Sequence, residues 1–219
     1  APAVCVVGSR RAARRGLLAA KRIGGDLARA GYLVVSGMAR GIDSMAHEGA
    51  MAAGGKTAAV LGCGVDVPYP PENLYLAVEI SANGCVVSEF PPGTPPLKQN
   101  FPRRNRILSG LSLGVVVVEA GTGSGAMGTA AWAGDHGREV FAVPGPVEHP
   151  GSRGPHRLIR EGACLVENAT DIMEALPRQG ILPLTQGRPG APAETDVRTE
   201  GSLNDGEREV LAALGADPK

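Results

Sequence analysis

The sequence predicts an α/β protein: a doubly wound, mainly parallel sheet flanked by helices, followed by a truncated C-terminal linker and stump. Three observations carry that prediction. Short β-branched runs recur along the chain. They are almost continuously apolar, as strands buried on both faces are. Helix-like segments separate each run from the next, which calls for right-handed crossovers between parallel neighbours.

The first strand, AVCVVG (3 to 8), feeds the helical RRAARRGLLAAKRIGGDLARA. YLVVSG (32 to 37) precedes GIDSMAHEGAMAA, and TAAVLG (57 to 62) precedes PENLYLAVEISAN. GCVVSE (84 to 89) is followed by the helical NRILSGLS, and GVVVVEA (114 to 120) by GAMGTAAWAGDHG. EVFAVPG (139 to 145), PHRLIREG and ACLVEN (163 to 168) complete the alternation, giving one domain over residues 1 to 176. Residues 177 to 203 are rich in Pro and Gly without apolar periodicity, the composition of a linker. From Asn204 the chain reads as a helix start, with Glu207 three residues on and Val210, Leu211 and Leu214 on one face, so 204 to 219 is expected to open a truncated second domain. The chain starts without Met inside a strand pattern and is expected to be a fragment.

Formal charge is +0, from 22 basic and 22 acidic residues, and the sum hides a basic first segment and an acidic tail. Cys5, Cys63, Cys85 and Cys164 are too widely spaced for a zinc site and are expected to be reduced, mostly buried thiols of a cytoplasmic protein. No apolar run reaches the roughly 18 residues that span a bilayer, so no membrane partner is expected. No metal or other cofactor is expected.

Ligands of open parallel sheets bind beyond the carboxyl ends of the strands. After the first strand comes Gly8-Ser9-Arg10, and after the second Ser36-Gly37 with Arg40, Gly41 and Asp43. The fifth ends in a glycine-rich turn with Ser124 and Gly125, then Thr129. Small residues let backbone N–H groups face an anion while arginines add charge. Taken singly, such turns are ordinary features of the fold, and Asp43 reads equally as a helix cap. Three of them on one edge describe an anion pocket.

Other chemistries fail. GSRRAARRG after the first strand is not G-x-G-x-x-G, Gly62-Cys63-Gly64 leads into VDVPYPPEN and not into a helix, and there is no G-x-x-x-x-G-K-[ST]. His47-Glu48 lacks the second histidine of H-E-x-x-H, because position 51 is Met, so His47 is expected to be packed or capping. His136, His149 and His156 have no nucleophile-elbow partner. No catalytic residue is assigned, and the protein is not expected to be an enzyme.

The run Lys98-Gln99-Asn100-Phe101-Pro102-Arg103-Arg104-Asn105-Arg106 holds four cations and no acid. The bland reading is a solvated helix face. Against it stand Asn105, set between arginines, and Phe101, one of few aromatics in a chain with three Phe, three Tyr and one Trp. Cations beside an aromatic ring hold single-stranded nucleic acid by phosphate contact and base stacking. Phe101 reads equally well as a core residue.

SGMARGIDSMAH, AVLGCGVDVPYPPEN, VVSEFPPGTPPLKQNFPRRNRILSGLS and REVFAVPG followed by SRGPHRLIREGA closely resemble the DNA processing protein A family, DprA or Smf, over about residues 3 to 176. The resemblance implies a Rossmann-like domain that binds single-stranded DNA, forms homodimers, protects incoming DNA and loads RecA recombinase in natural transformation. It also implies a winged-helix-like domain after the linker. By motif it implies a DNA pocket made of Gly8, Ser9, Arg10, Ser36, Gly37, Arg40 and Gly41, walled by Asn100, Phe101, Arg103, Arg104, Asn105 and Arg106, with Lys98 beside them. Ser124, Gly125 and Thr129 belong to a turn that departs from the family pattern. Ala126 lacks the expected hydroxyl, and Gly128 loosens the helix by up to about 1 kcal/mol relative to Ala. The competing enzyme class is a nucleoside-monophosphate phosphoribohydrolase with P-G-G-x-G-T-x-x-E. Gly128-Thr129 would align with it, but position 132 is Trp where glutamate is required.

Overall fold

The computed structural model describes residues 1 to 67 and 69 to 176. The linker expected at 177 to 203 and the domain start expected at 204 lie outside the described residues.

Seven parallel strands form one sheet in the order β4-β3-β2-β1-β5-β6-β7. They are β1 (Ala3–Val7), β2 (Leu33–Ser36), β3 (Thr57–Leu61), β4 (Cys85–Ser88), β5 (Gly114–Val117), β6 (Glu139–Ala142) and β7 (Cys164–Leu165). The helices are α1 (Arg14–Arg29), α2 (Ile42–Ala52), α3 (Leu74–Asn83), α4 (Asn100–Gly110), α5 (Gly125–Asp135), α6 (Arg153–Arg160) and α7 (Ala169–Ala175). Every strand read from the sequence forms, and the fold is Rossmann-like.

Strand pleat sorts side chains between two layers. Val4 and Val6 of β1 join Ile23, Leu27, Ile42 and Phe141 under α1 and α2. Ala3, Cys5 and Val7 join Val60, Leu108, Val117 and Ala130 under α4 and α5. On the first face α1 and α2 approach closely. A Cβ at Gly24 would stand 2.5 Å from the Ala46 carbonyl oxygen, and one at Gly49 would strike the carbonyl of Lys21. That contact accounts for mid-helix glycines that each cost about 1 kcal/mol in helix propensity. His47 is fully buried here. Its Nδ1 lies 2.7 Å from Thr57 Oγ1, which itself donates to Val34 O, so Nδ1 carries the proton. Burial pushes the His47 pKa down to about 3.

Three sequence expectations are corrected. Helix α4 begins at Asn100, five residues before Asn105 where the segment NRILSGLS starts, because Pro102 sits in its first turn, where no intrahelical N–H is needed. Helix α7 was not anticipated. Its signature is a capping box, with Asn168 Oδ1 accepting from the N–H groups of Thr170 and Asp171. Cys5 and Cys63 are buried, but Cys85 and Cys164 are exposed, since β4 and β7 are the borders of the sheet. No helix among the described residues is long and apolar enough to cross a membrane.

Strand order changes direction between β1 and β5. The chain runs outward through β2, β3 and β4, then α4 carries it back to the far side of β1. Helix α4 is therefore the crossover at the switch point, where open sheets leave a crevice.

Candidate nucleic-acid interface

A cleft of about 730 Å³ occupies that crevice. Its sides come from Gly8 to Arg11 after β1, Ala39 and Asp43 after β2, Tyr69, Lys98, the start of α4 and the start of α5.

Arg104 and Asp43 form its floor. Arg104 is 4% exposed, and its Nη1 donates to Gly37 O at 3.1 Å and to Val60 O. Its Nε faces Asn105 Oδ1 at 3.3 Å. Burial pushes the Arg104 pKa down, while the Asp43 charge supports the cationic form. Asp43, 5% exposed, accepts from the N–H of Gly37 at 3.2 Å and of Ala39 at 3.4 Å. It ties the preceding turn instead of merely capping α2. Gly37 is thus held from both sides, its N–H by Asp43 and its carbonyl by Arg104. A Cβ there would stand 2.6 Å from Arg104 Nη2, so only glycine lets the guanidinium lie against the turn.

The turn is held in a costly conformation. Met38 has φ 54°, a left-handed value worth about 1–3 kcal/mol for a non-glycine residue. Asn73 Nδ2 donates to Met38 O at 2.8 Å, and Ser44 Oγ donates to Ala39 O at 2.7 Å. Burial pushes the Asp43 pKa up to about 6, against the opposing pull of Arg104 and backbone N–H groups. A folded value above the unfolded one stabilises the fold fully below the ordinary aspartate pKa, and this contribution is lost as pH rises through about 6.

Phe101 forms a wall and is half-buried. Its ring centroid is 5.4 Å from that of Tyr69, and the Arg10 guanidinium stands 5.2 Å from the ring. Asn105, buried, donates from Nδ2 to Gly125 O at 3.2 Å and links α4 to the start of α5. Thr129 Oγ1 bonds the same carbonyl at 3.3 Å. Ser124 Oγ is buried without a hydrogen-bond partner among the described residues. Arg10, Arg11 and Lys98 line the mouth. They take part in no ion pair among the described residues.

The residues singled out from the sequence fall into four groups. Gly8, Ser9, Arg10, Lys98, Phe101, Arg104, Asn105, Ser124, Gly125 and Thr129 line the cleft. Ser36, Gly37 and Gly41 support it from behind. Ser36 Oγ donates to Val6 O at 2.6 Å, and Gly41 turns the chain at φ 77°. Asn100 is buried with its Nδ2 unpartnered and is outside the lining. Arg40, Arg103 and Arg106 are not brought to the cleft. Arg40 pairs with Glu72, Arg106 pairs with Glu89, and Arg103 lies 5.9 Å from the Phe90 ring. Helical spacing explains the α4 pair: 101, 104 and 105 share one face, and 103 and 106 turn away from it. The sequence reading missed Arg11 and Tyr69. Tyr69 belonged to a proline-rich stretch that carries no periodicity.

Fold and site define an α/β protein with a cation-rimmed cleft at a topological switch point. The chain belongs to the DNA recombination-mediator protein A family, whose model matches residues 1 to 177. It is 52% identical over 151 residues to protein Smf of Escherichia coli, covering 68% of this chain and 40% of that protein. It is 45% identical over 172 residues to DNA processing protein DprA of Streptococcus pneumoniae, covering 78% and 61%. The chain spans about half the length of the curated relatives it matches. The crystal structure of the S. pneumoniae protein superposes with a TM-score of 0.76 at 43% identity, over 80% of this chain and 62% of that one. DNA processing protein A of Helicobacter pylori, whose structure describes its single-stranded DNA binding mode, gives 0.73 at 29% identity over 79% of each chain. A molybdenum cofactor carrier protein of Chlamydomonas reinhardtii, 22% identical with a TM-score of 0.53, shares the fold alone.

Proposed function

We propose that the switch-point cleft binds single-stranded DNA. The observation that carries this reading is the Phe101 ring, half-buried beside Tyr69 and under Arg10, at a mouth bordered by Arg11 and Lys98. A ring among cations stacks a base while the cations take phosphates, and a duplex offers no unstacked base to it. Family membership and the H. pylori relative support the same reading. Within the whole protein, the cleft would serve a non-enzymatic, cytoplasmic homodimer that protects incoming DNA and hands it to RecA in natural transformation.

The test is a fluorescence-anisotropy titration with a single-stranded oligonucleotide and its duplex at several salt concentrations. Single strands bind more tightly than duplex. With Arg10, Arg11 and Lys98 as the unpaired cations, the log–log salt slope falls near −2, at roughly 0.7 per phosphate contact. Equal preference for duplex, or a salt-insensitive affinity, overturns the reading. The RecA step is checked by whether the protein speeds RecA filament growth on single strands already coated with a single-strand binding protein. No acceleration rejects it.

A further inference from the structure

We propose that Asp43 is a positioning residue that couples occupancy of the cleft by a polyanion to uptake of one proton: the carboxylate that holds the Gly37 turn also shares the floor with Arg104. The inference rests on the reading of the cleft as a single-stranded DNA site, and it concerns how that site responds to pH.

Asp43 lines the cleft, yet a carboxylate has the wrong charge for a phosphate site. Its acceptor role explains why it is there, because Gly37 and Ala39 both donate to it. Asparagine would serve that role as well, through a single carbonyl oxygen. What aspartate adds is a charge that can be discharged. Burial has already pushed its pKa up to about 6. Phosphates at the mouth place further negative charge beside it and raise the cost of ionisation again. The bound state then carries a proton near neutral pH that the free state lacks, which is linkage.

The other charged or titratable groups that face this floor do not compete. Arg104 from α4 is a guanidinium whose cationic form the Asp43 charge supports, and Arg10 from the loop after β1 is a second guanidinium near it. The Cys5 thiol from β1 is pushed far up by burial and stays neutral. His47, on the same helix as Asp43, is pushed down to about 3 and stays neutral too. No histidine among the described residues lines the cleft.

The experiment is an anisotropy titration of oligo-dT at constant ionic strength between pH 5.5 and 8, for wild type, Asp43→Asn and Asp43→Ala. Wild-type affinity rises as pH falls from about 7.5 to about 6, by at most tenfold per unit, and flattens below. Asp43→Asn keeps the turn, binds at least as tightly as wild type at pH 7.5 and loses that slope. Asp43→Ala loses the turn's acceptor and binds several-fold more weakly at every pH. A wild-type slope in Asp43→Asn, or identical behaviour of the two variants, overturns the proposal while leaving DNA binding intact. No binding by any form at any pH overturns the DNA reading itself and this inference with it. Should Asp43→Asn fail to fold, calorimetric titration of wild type in two buffers of different ionisation enthalpy replaces it. Proton uptake on binding at pH 6.5 supports the coupling, and zero uptake overturns it.

Discussion

Helix α4 carries Arg103, Arg104 and Arg106 within four residues, and its two faces treat them oppositely. On the inner face Arg104 is buried, donates to Gly37 O and Val60 O, and has its cationic form supported by the Asp43 charge. On the outer face Arg106 pairs with Glu89 and Arg103 rests near an aromatic ring, both exposed to water. The difference teaches that a basic run is not a uniform patch. One arginine is part of the scaffold of the cleft, while its neighbours act on the surface, where ion pairs contribute little.

The largest effect expected from this contrast is that of Arg104→Ala. It leaves two carbonyls without a donor and the Asp43 charge without its compensating partner. Leaving a buried polar group without its partner typically costs about 1–3 kcal/mol. Urea denaturation should show a fall of that order, and a fall below about 1 kcal/mol would place Arg104 with its exposed neighbours. Phe101→Ala comes next. Loss of stacking should weaken single-stranded DNA binding by roughly 1–3 kcal/mol with an unchanged salt slope. A flattened slope would mean that the ring acts through Arg10 instead of through a base. The smallest effect belongs to Arg106→Ala, which removes only an exposed pair with Glu89 and should shift stability by no more than about 1 kcal/mol. Its DNA affinity at moderate salt should match wild type, and a loss comparable to that of Phe101→Ala would erase the distinction between the faces.

The central strands were legible because burial on both faces leaves nearly unbroken Val and Ala runs, and the glycine turns at their ends were legible because open sheets bind ligands there. The inner and outer faces of α4 were not. That division depends on where the helix starts, and Pro102 reads in sequence as a break, although in the first turn it breaks nothing. Asp43 was visible only as a cap, since a contact to Gly37 and Ala39 reaches back across the turn and depends on the left-handed Met38 between them. Tyr69 reaches Phe101 from a distant, irregular segment, a juxtaposition created by tertiary structure. Arg40 looked like a phosphate ligand because it follows a glycine turn, and Glu72 lies too far along the chain for their pairing to be foreseen.

The distribution of cysteines gives the sheet its own sentinels. Cys85 stands on one border strand and Cys164 on the other, while Cys5 and Cys63 are shielded inside. Any strand or partner that came to lie along one border would cover one thiol and spare the other, so the two sides of the molecule can report separately on what touches them without a label being added.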